Sequence, residues 1–196
     1  MLPEFLDFIK DSCLCSYNAG FDLGFLNSEL GIIGRRPLQE VIVIDILRMA
    51  RRLLPGLQRY ALWFVAEKLG VQSRQEHRAF SDVQLTLEVF RWLKGNLQGK
   101  GVVEFSIFSH LFSINNQKVN AVINQRLAEI QEAINLGLKL KIQYLSGING
   151  KVSQRQVLPK EIKQERNQFY LVAFCFLRNE ERTFRVESIL RLEVVA

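Results

Sequence analysis

Two stretches decide how this chain folds: His77-Arg78-Ala79-Phe80-Ser81-Asp82 and, well upstream of it, Asn18-Ala19-Gly20-Phe21-Asp22. The upstream stretch follows the apolar run Cys13 to Tyr17 and precedes a helical series of apolar residues, so Asp22 falls at a strand-to-helix junction. In the downstream stretch His77 leads a helix that carries Asp82. Cleavage of a phosphodiester by two metal ions needs several carboxylates converging on the cations, and a nearby histidine can take the proton of the attacking water. Asp22, His77 and Asp82 supply part of such a set. The plainer alternative stays open: Asn18 and Asp22 as cap and turn residues, His77 and Asp82 as a surface pair.

Outward from these stretches the chain alternates between helix and strand. Leu2, Phe5, Leu6 and Ile9 predict a first helix, and Cys13 to Tyr17 a short buried strand. Leu23 to Leu30 predicts a second helix closed at Gly31. The β-branched run Val41 to Ile44 predicts a second buried strand, entering a helix that Pro55-Gly56 ends. Tyr60 to Leu69 and Ser81 to Leu93 read as two more amphipathic helices, which together predict an α/β layered domain.

Gly95, Gly99 and Gly101 mark a boundary, and a helix over about 117–136 follows. Beyond Gly137 the pattern turns to alternation, at Leu140, Ile142 and Tyr144, then over 152–157, 169–176 and 182–189. That predicts a small strand-rich second domain with the helix packed on it. The organisation is 1–95, a linker over 96–122, and 123–196.

Composition bounds the function. Of 196 residues 48% are hydrophobic and 23% charged, which fits a globular protein and excludes wholesale disorder. No apolar run is long enough to span a bilayer, and Glu4 and Asp7 stand where a signal peptide carries basic residues, so a cytoplasmic protein with no membrane partner is expected. Cys13, Cys15 and Cys175 read as reduced, small apolar core residues. The net charge of +6 permits an anionic partner, and residues 125–196 are the more basic part, with 12 Lys and Arg against 8 Glu.

Residues 1 to about 95 resemble the proofreading exonucleases typified by the DNA polymerase III epsilon subunit, the DEDDh group with an RNase H-like fold. The resemblance rests on Phe5-Leu6-Asp7-Phe8-Ile9, Asn18 to Leu26, Val43-Ile44-Asp45 and His77 to Asp82. It implies Asp22 and Asp82 as metal ligands, with Asp22, His77 and Asp82 catalytic and His77 the general base, Mg or Mn as cofactor, and Asn18 beside the nucleic acid. The family's first motif, Asp-x-Glu on a first strand, has no counterpart before Leu2, and Tyr17 stands where a histidine commonly precedes the asparagine. The chain is therefore expected to carry an incomplete, inactive exonuclease-like domain whose first strand keeps an open edge, available to self-association or a partner chain.

Residues 123–196 resemble a WYL domain, a small Sm-like barrel, through Ile142-Gln143-Tyr144, Ser153 to Pro159, Phe169-Tyr170-Leu171 and Arg182 to Val186. That resemblance implies contact with single-stranded nucleic acid or a small anionic ligand through Tyr144, Arg155, Tyr170, Arg182 and Arg185. Phe169, Phe174, Phe176 and Phe184 are expected in the core. The fold class expected is thus α/β, a partial RNase H-like exonuclease domain followed by a β-rich WYL domain. Its role is nucleic-acid binding or ligand sensing; a metal-dependent 3'-5' exonuclease and a structural module pairing with another chain are the alternatives.

Overall fold

A two-stranded parallel sheet anchors the N-terminal part of the computed structural model, which describes residues 2–39, 41–71, 79–114, 117–166 and 168–195, with backbone alone over 117–121. Helix α1 (Leu2–Ile9) leads to β1 (Leu14–Ser16), then α2 (Ala19–Ile32), β2 (Val43–Asp45), α3 (Ile46–Leu53), α4 (Leu62–Lys68), α5 (Ala79–Gly99) and α6 (Phe105–Phe112). β1 pairs with β2 in the register Leu14↔Val43, Cys15↔Ile44, Ser16↔Asp45. The crossover that parallel pairing requires is α2 and the loop after it.

Local chemistry accounts for the helix ends. The α2 helix runs past Gly31 and stops at Gly34, whose φ of 70° is open to glycine at little cost, and the Arg35 amide closes the turn on the Leu30 carbonyl. Asp45 ends β2 and caps α3, its carboxylate accepting from the amides of Leu47 at 2.9 Å and Arg48 at 3.3 Å.

Leu85, Val89, Leu93 and Leu97 lie one turn apart along α5 and are all fully buried, a stripe that packs against α3 and α4. Across 96–122, where glycines suggest a linker, α5 continues to Gly99 and α6 follows after Gly101 at φ 83°. Leu111 and Phe112 of α6 are buried, Ser113 bridges Ile44, and Phe108 stacks edge-on to Phe90 at 6.0 Å. Burial of that apolar face outweighs the roughly 1 kcal/mol each glycine costs a helix.

Cys13 and Cys15 are exposed and β1 is at most half-buried, against the expectation of a buried strand with core cysteines. Among the described residues β1 has one partner strand, so its other edge and one of its faces stay open. Cys175 is fully buried.

The chain divides into two units, 1–117 and 118–196. In the second, α7 (Gln117–Asn135) precedes β3 (Lys139–Leu145), β4 (Val152–Glu165), β5 (Gln168–Cys175), β6 (Glu180–Arg185) and β7 (Ile189–Val195), an antiparallel sheet in the order β6-β5-β4-β3-β7. Ile130 and Ala133 of α7 join Leu140, Ile142, Val157, Leu171, Ala173, Cys175 and Phe184 in one core. β4 runs through Pro159 to Glu165 because the register shifts between Pro159 and Glu161, a bulge that absorbs the missing proline donor. Phe184 is buried and Phe169 packs on the core, whereas Phe174 is half-buried and Phe176 is exposed.

Candidate functional site

The parallel register and the α5 stripe bring the first unit's chemistry to one cleft. Asp22, in the first turn of α2, and Asp82, in the first turn of α5, both line a cleft of about 570 Å³ whose walls include Ser16, Tyr17 and Thr86. The hydroxyl of Ser16, the last residue of β1, donates to the Asp22 carboxylate. Among the described residues Asp82 Oδ1 is buried with no hydrogen-bond partner. Tyr17 donates to the Tyr60 carbonyl at 2.8 Å, and Tyr60 in turn donates to the Leu54 carbonyl at 2.7 Å, which ties β1 to the segment ahead of α4. Burial drives the Tyr17 phenol well above its ordinary range.

Asn18 adopts the left-handed conformation, φ 66° and ψ 50°, at the start of α2. Its side chain makes no capping hydrogen bond and is exposed, so the capping alternative accounts for the backbone alone. His77 lies outside the described residues. Glu4 of α1 lines a different cleft, with Phe5, Phe8 and Leu26. Among the described residues no three His, Cys, Asp or Glu side chains converge as a metal site. Asp22 and Asp82 are the pair that could hold a hard cation, which prefers carboxylate oxygens, and the unpartnered Asp82 oxygen fits that use.

The ladders of the second unit sort its candidate contacts onto two faces, because residues directly opposite across an antiparallel pair share a face. Tyr144, Arg155 and Arg182 lie on the core-facing side: Arg155 pairs with Ile142, and Arg182 with Ala173. The Tyr144 ring meets Phe184 edge-on at 5.2 Å, its hydroxyl accepts from the Arg185 amide at 3.4 Å, and it packs on the core. Arg155 donates to Ser153 Oγ at 3.2 Å and to Cys175 Sγ at 3.8 Å, and it lines a cleft of about 310 Å³ with Lys141 and Gln156. Arg182 pairs with Glu180 at 2.9 Å.

Tyr170 and Arg185 lie on the opposite face. They are directly opposed across β5 and β6, and Lys163 of β4 opposes Tyr170 from the other side, which sets a tyrosine between two cations. Tyr170 donates to Gln168 Oε1 at 2.9 Å. Arg185 pairs with Glu187 while its Nε is buried without a partner, and Lys163 pairs with Glu161 at 2.9 Å.

Lys163 and Ser16 were not singled out from sequence. Lys163 stands beyond Pro159, where strand signals end, and the role of Ser16 follows from the turn that carries the chain from β1 into α2.

Residues 1–90 match the exonuclease family RNase_T, and residues 125–194 match the WYL domain family. Over 194 residues the chain is 27% identical to the DNA polymerase III PolC-type of Caldanaerobacter subterraneus subsp. tengcongensis, covering 99% of this chain and 12% of that protein. Over 129 residues it is 37% identical to the DNA polymerase III subunit epsilon of Rickettsia prowazekii, covering 63% of this chain and 54% of that protein. It thus spans about half the length of the epsilon relative and a small part of the PolC-type one. Among solved structures, Proteasome accessory factor B/C (PafBC) of Arthrobacter aurescens is similar at 29% identity, over 37% of this chain and 11% of that chain, with a TM-score of 0.35. Exonucleases of the epsilon type are generally dependent on divalent metal, and WYL domains bind nucleic acids or ligands. No helix among the described residues is long and apolar enough to cross a membrane. This chain carries an exonuclease domain of the RNase_T family over residues 1–90 and a WYL domain over residues 125–194.

Proposed function

We propose that this protein binds single-stranded nucleic acid, or a small ligand with the same anionic chemistry, through its WYL unit, and that its exonuclease-type unit is silent by itself. One observation carries the binding reading: the row Lys163, Tyr170 and Arg185 across β4, β5 and β6. An aromatic face accepts a stacked base, and cations on either side meet the phosphates that flank it. Glu161 and Glu187 hold the two cations in place when the face is empty. A phosphate competes for the same donors, and the spare Nε of Arg185 supports a second bond to it. The organisation that accompanies this reading is 1–95, a connecting stretch over 96–122, and 123–196.

The silence of the exonuclease-type unit is supported by the carboxylate count in its cleft. Among the described residues Asp22 and Asp82 are the two carboxylates lining this cleft, where a pair of cations needs more oxygens. A second reading, a 3'-5' exonuclease that becomes active once further carboxylates are supplied to this cleft, is favoured by the orphaned Asp82 oxygen. In that reading Asp22 and Asp82 would hold Mg or Mn, which would supply activation of a water, and His77 would be the general base. Asn18, with its side chain free of capping, stands beside the strand end.

Both readings are tested on the purified chain with one end-labelled single-stranded oligonucleotide. Fluorescence anisotropy measured against salt concentration reports binding, and a Tyr170→Ala, Arg185→Ala double variant is expected to bind at least tenfold more weakly. Unchanged affinity overturns the binding reading. Degradation with Mn or Mg that disappears in Asp82→Ala overturns the silence of the exonuclease-type unit and selects the second reading.

A further inference from the structure

Cys13 and Cys15 are both exposed, and together they line a cleft of about 350 Å³ whose other walls include Phe90, Lys94 and Phe108. Cys15 and Phe90 also line the cleft that holds Asp22 and Asp82. The two clefts therefore share one wall, at the exposed side of β1, and Cys15 stands on it. Lys94, four residues after Phe90 on α5, lies over the Phe90 ring, with its ammonium 6.0 Å from the ring centroid. That places a cation and a second thiol beside an accessible thiol. Reactive cysteines occupy such electropositive, accessible settings.

We infer that Cys15 is a modification site for peroxide-class oxidants, with Cys13 and Lys94 as the groups that hold its sulfur ready. In the step, the Cys15 sulfur attacks one peroxide oxygen, the O–O bond breaks and an S–O bond forms. The sulfur gives up two electrons and becomes a sulfenic acid; the departing oxygen takes a proton and leaves as water or, from an organic peroxide, as an alcohol. The neighbouring Cys13 thiol holds the Cys15 thiol below its ordinary range, Lys94 acts in the same direction, and burial opposes both. Cys13, whose thiol donates to the Leu14 carbonyl at 3.7 Å, is held above its ordinary range by the Cys15 neighbour and by burial. The two thiols thus have opposite roles, one reacting and one donating.

The oxidation stops at the sulfenic acid. Residues two apart in extended backbone have Cα atoms about 6.6 Å apart, near the upper limit for a disulfide, so Cys13 does not close a bridge to the product. The added oxygen enters the wall shared with the Asp22 and Asp82 cleft.

The test is site-resolved mass spectrometry of the intact chain after hydrogen peroxide and dimedone, with iodoacetamide alkylation rates at neutral pH alongside. The dimedone adduct is expected on Cys15, with Cys15 alkylated about tenfold faster than Cys13. Lys94→Met is expected to slow Cys15 about two- to fivefold, the effect of losing one exposed charge partner. Because the sites are mapped on the unaltered protein, the outcome does not depend on a variant folding. Equal rates at the two cysteines, an adduct on Cys13 in place of Cys15, or a Cys13–Cys15 disulfide overturns the inference.

Discussion

The Asp22 carboxylate accepts the hydroxyl of Ser16, whereas the Asp82 carboxylate, on the wall of the same cleft, keeps a buried oxygen with no hydrogen-bond partner among the described residues. One acid of the pair is satisfied within the fold and the other is left costly. A stranded buried acceptor costs about 1–3 kcal/mol, more than the roughly 0.3–1 kcal/mol that an acid gains in the first turn of a helix. Asp82→Ala is therefore expected to leave the stability of the first unit unchanged or to raise it by about 1 kcal/mol, and Ser16→Ala to lower it by about 0.5–1.5 kcal/mol. Urea unfolding of the chain checks both, and a loss of more than about 1 kcal/mol in Asp82→Ala would show that the acid is satisfied after all.

Tyr17 couples stability to alkaline pH. Burial raises its phenol above the ordinary value near 10, so the fold favours the protonated form. The stabilisation is complete below the unfolded value and is lost as pH rises through the folded one. Tyr17→Phe removes the hydrogen bond to the Tyr60 carbonyl at a cost of about 1 kcal/mol near neutral pH and flattens the fall in alkali. Urea midpoints of both proteins at pH 8 and pH 11 measure the difference, and parallel curves would sink the coupling.

Phe184 sits in the core of the second unit with Tyr144 edge-on to its ring. Phe184→Ala is expected to cost about 3–5 kcal/mol, enough to unfold a small unit. Tyr144→Phe keeps the ring and loses only the long contact to the Arg185 amide, so it should cost less than about 1 kcal/mol. Thermal melts followed by circular dichroism separate the two, and equal losses would mean that the hydroxyl, not the ring, holds Tyr144.

The two faces of the sheet predict different behaviour for two arginines close in sequence. Arg185→Ala, on the face with Tyr170 and Lys163, should weaken binding of a single-stranded oligonucleotide and shallow its dependence on salt. Arg182→Ala, on the core-facing side and paired with Glu180, should change neither by more than about twofold. Anisotropy titrations at two salt concentrations decide it. Equal effects would place the ligand on both faces or on neither.

Most elements were legible in the sequence, α6 within the stretch expected as a linker excepted, since apolar periodicity is local and survives any packing. The helix over 81–93, the alternation Leu140, Ile142, Tyr144 and the helix over about 117–136 follow from spacing alone, whereas the two family resemblances rest on the motif residues themselves. Glycine misled at Gly31 and Gly95, because a helix continues through a glycine when its buried face repays the cost, and that burial depends on distant partners. Cys13 and Cys15 have the composition of a core strand, yet their exposure was decided by which strand lies beside β1. Asp22 and Asp82 were named from motif spacing, but that one is satisfied and the other stranded depends on where Ser16 and α5 stand in space. Likewise Tyr144, Arg155 and Arg182 were separated from Tyr170 and Arg185 by ladder register, and a bulge near Pro159 sets the face that the rest of β4, Lys163 included, presents. Sequence by itself determined which groups this protein owns and which segments carry them; tertiary structure alone decided which groups meet, because strand register and helix packing are settled by contacts between residues far apart in the chain.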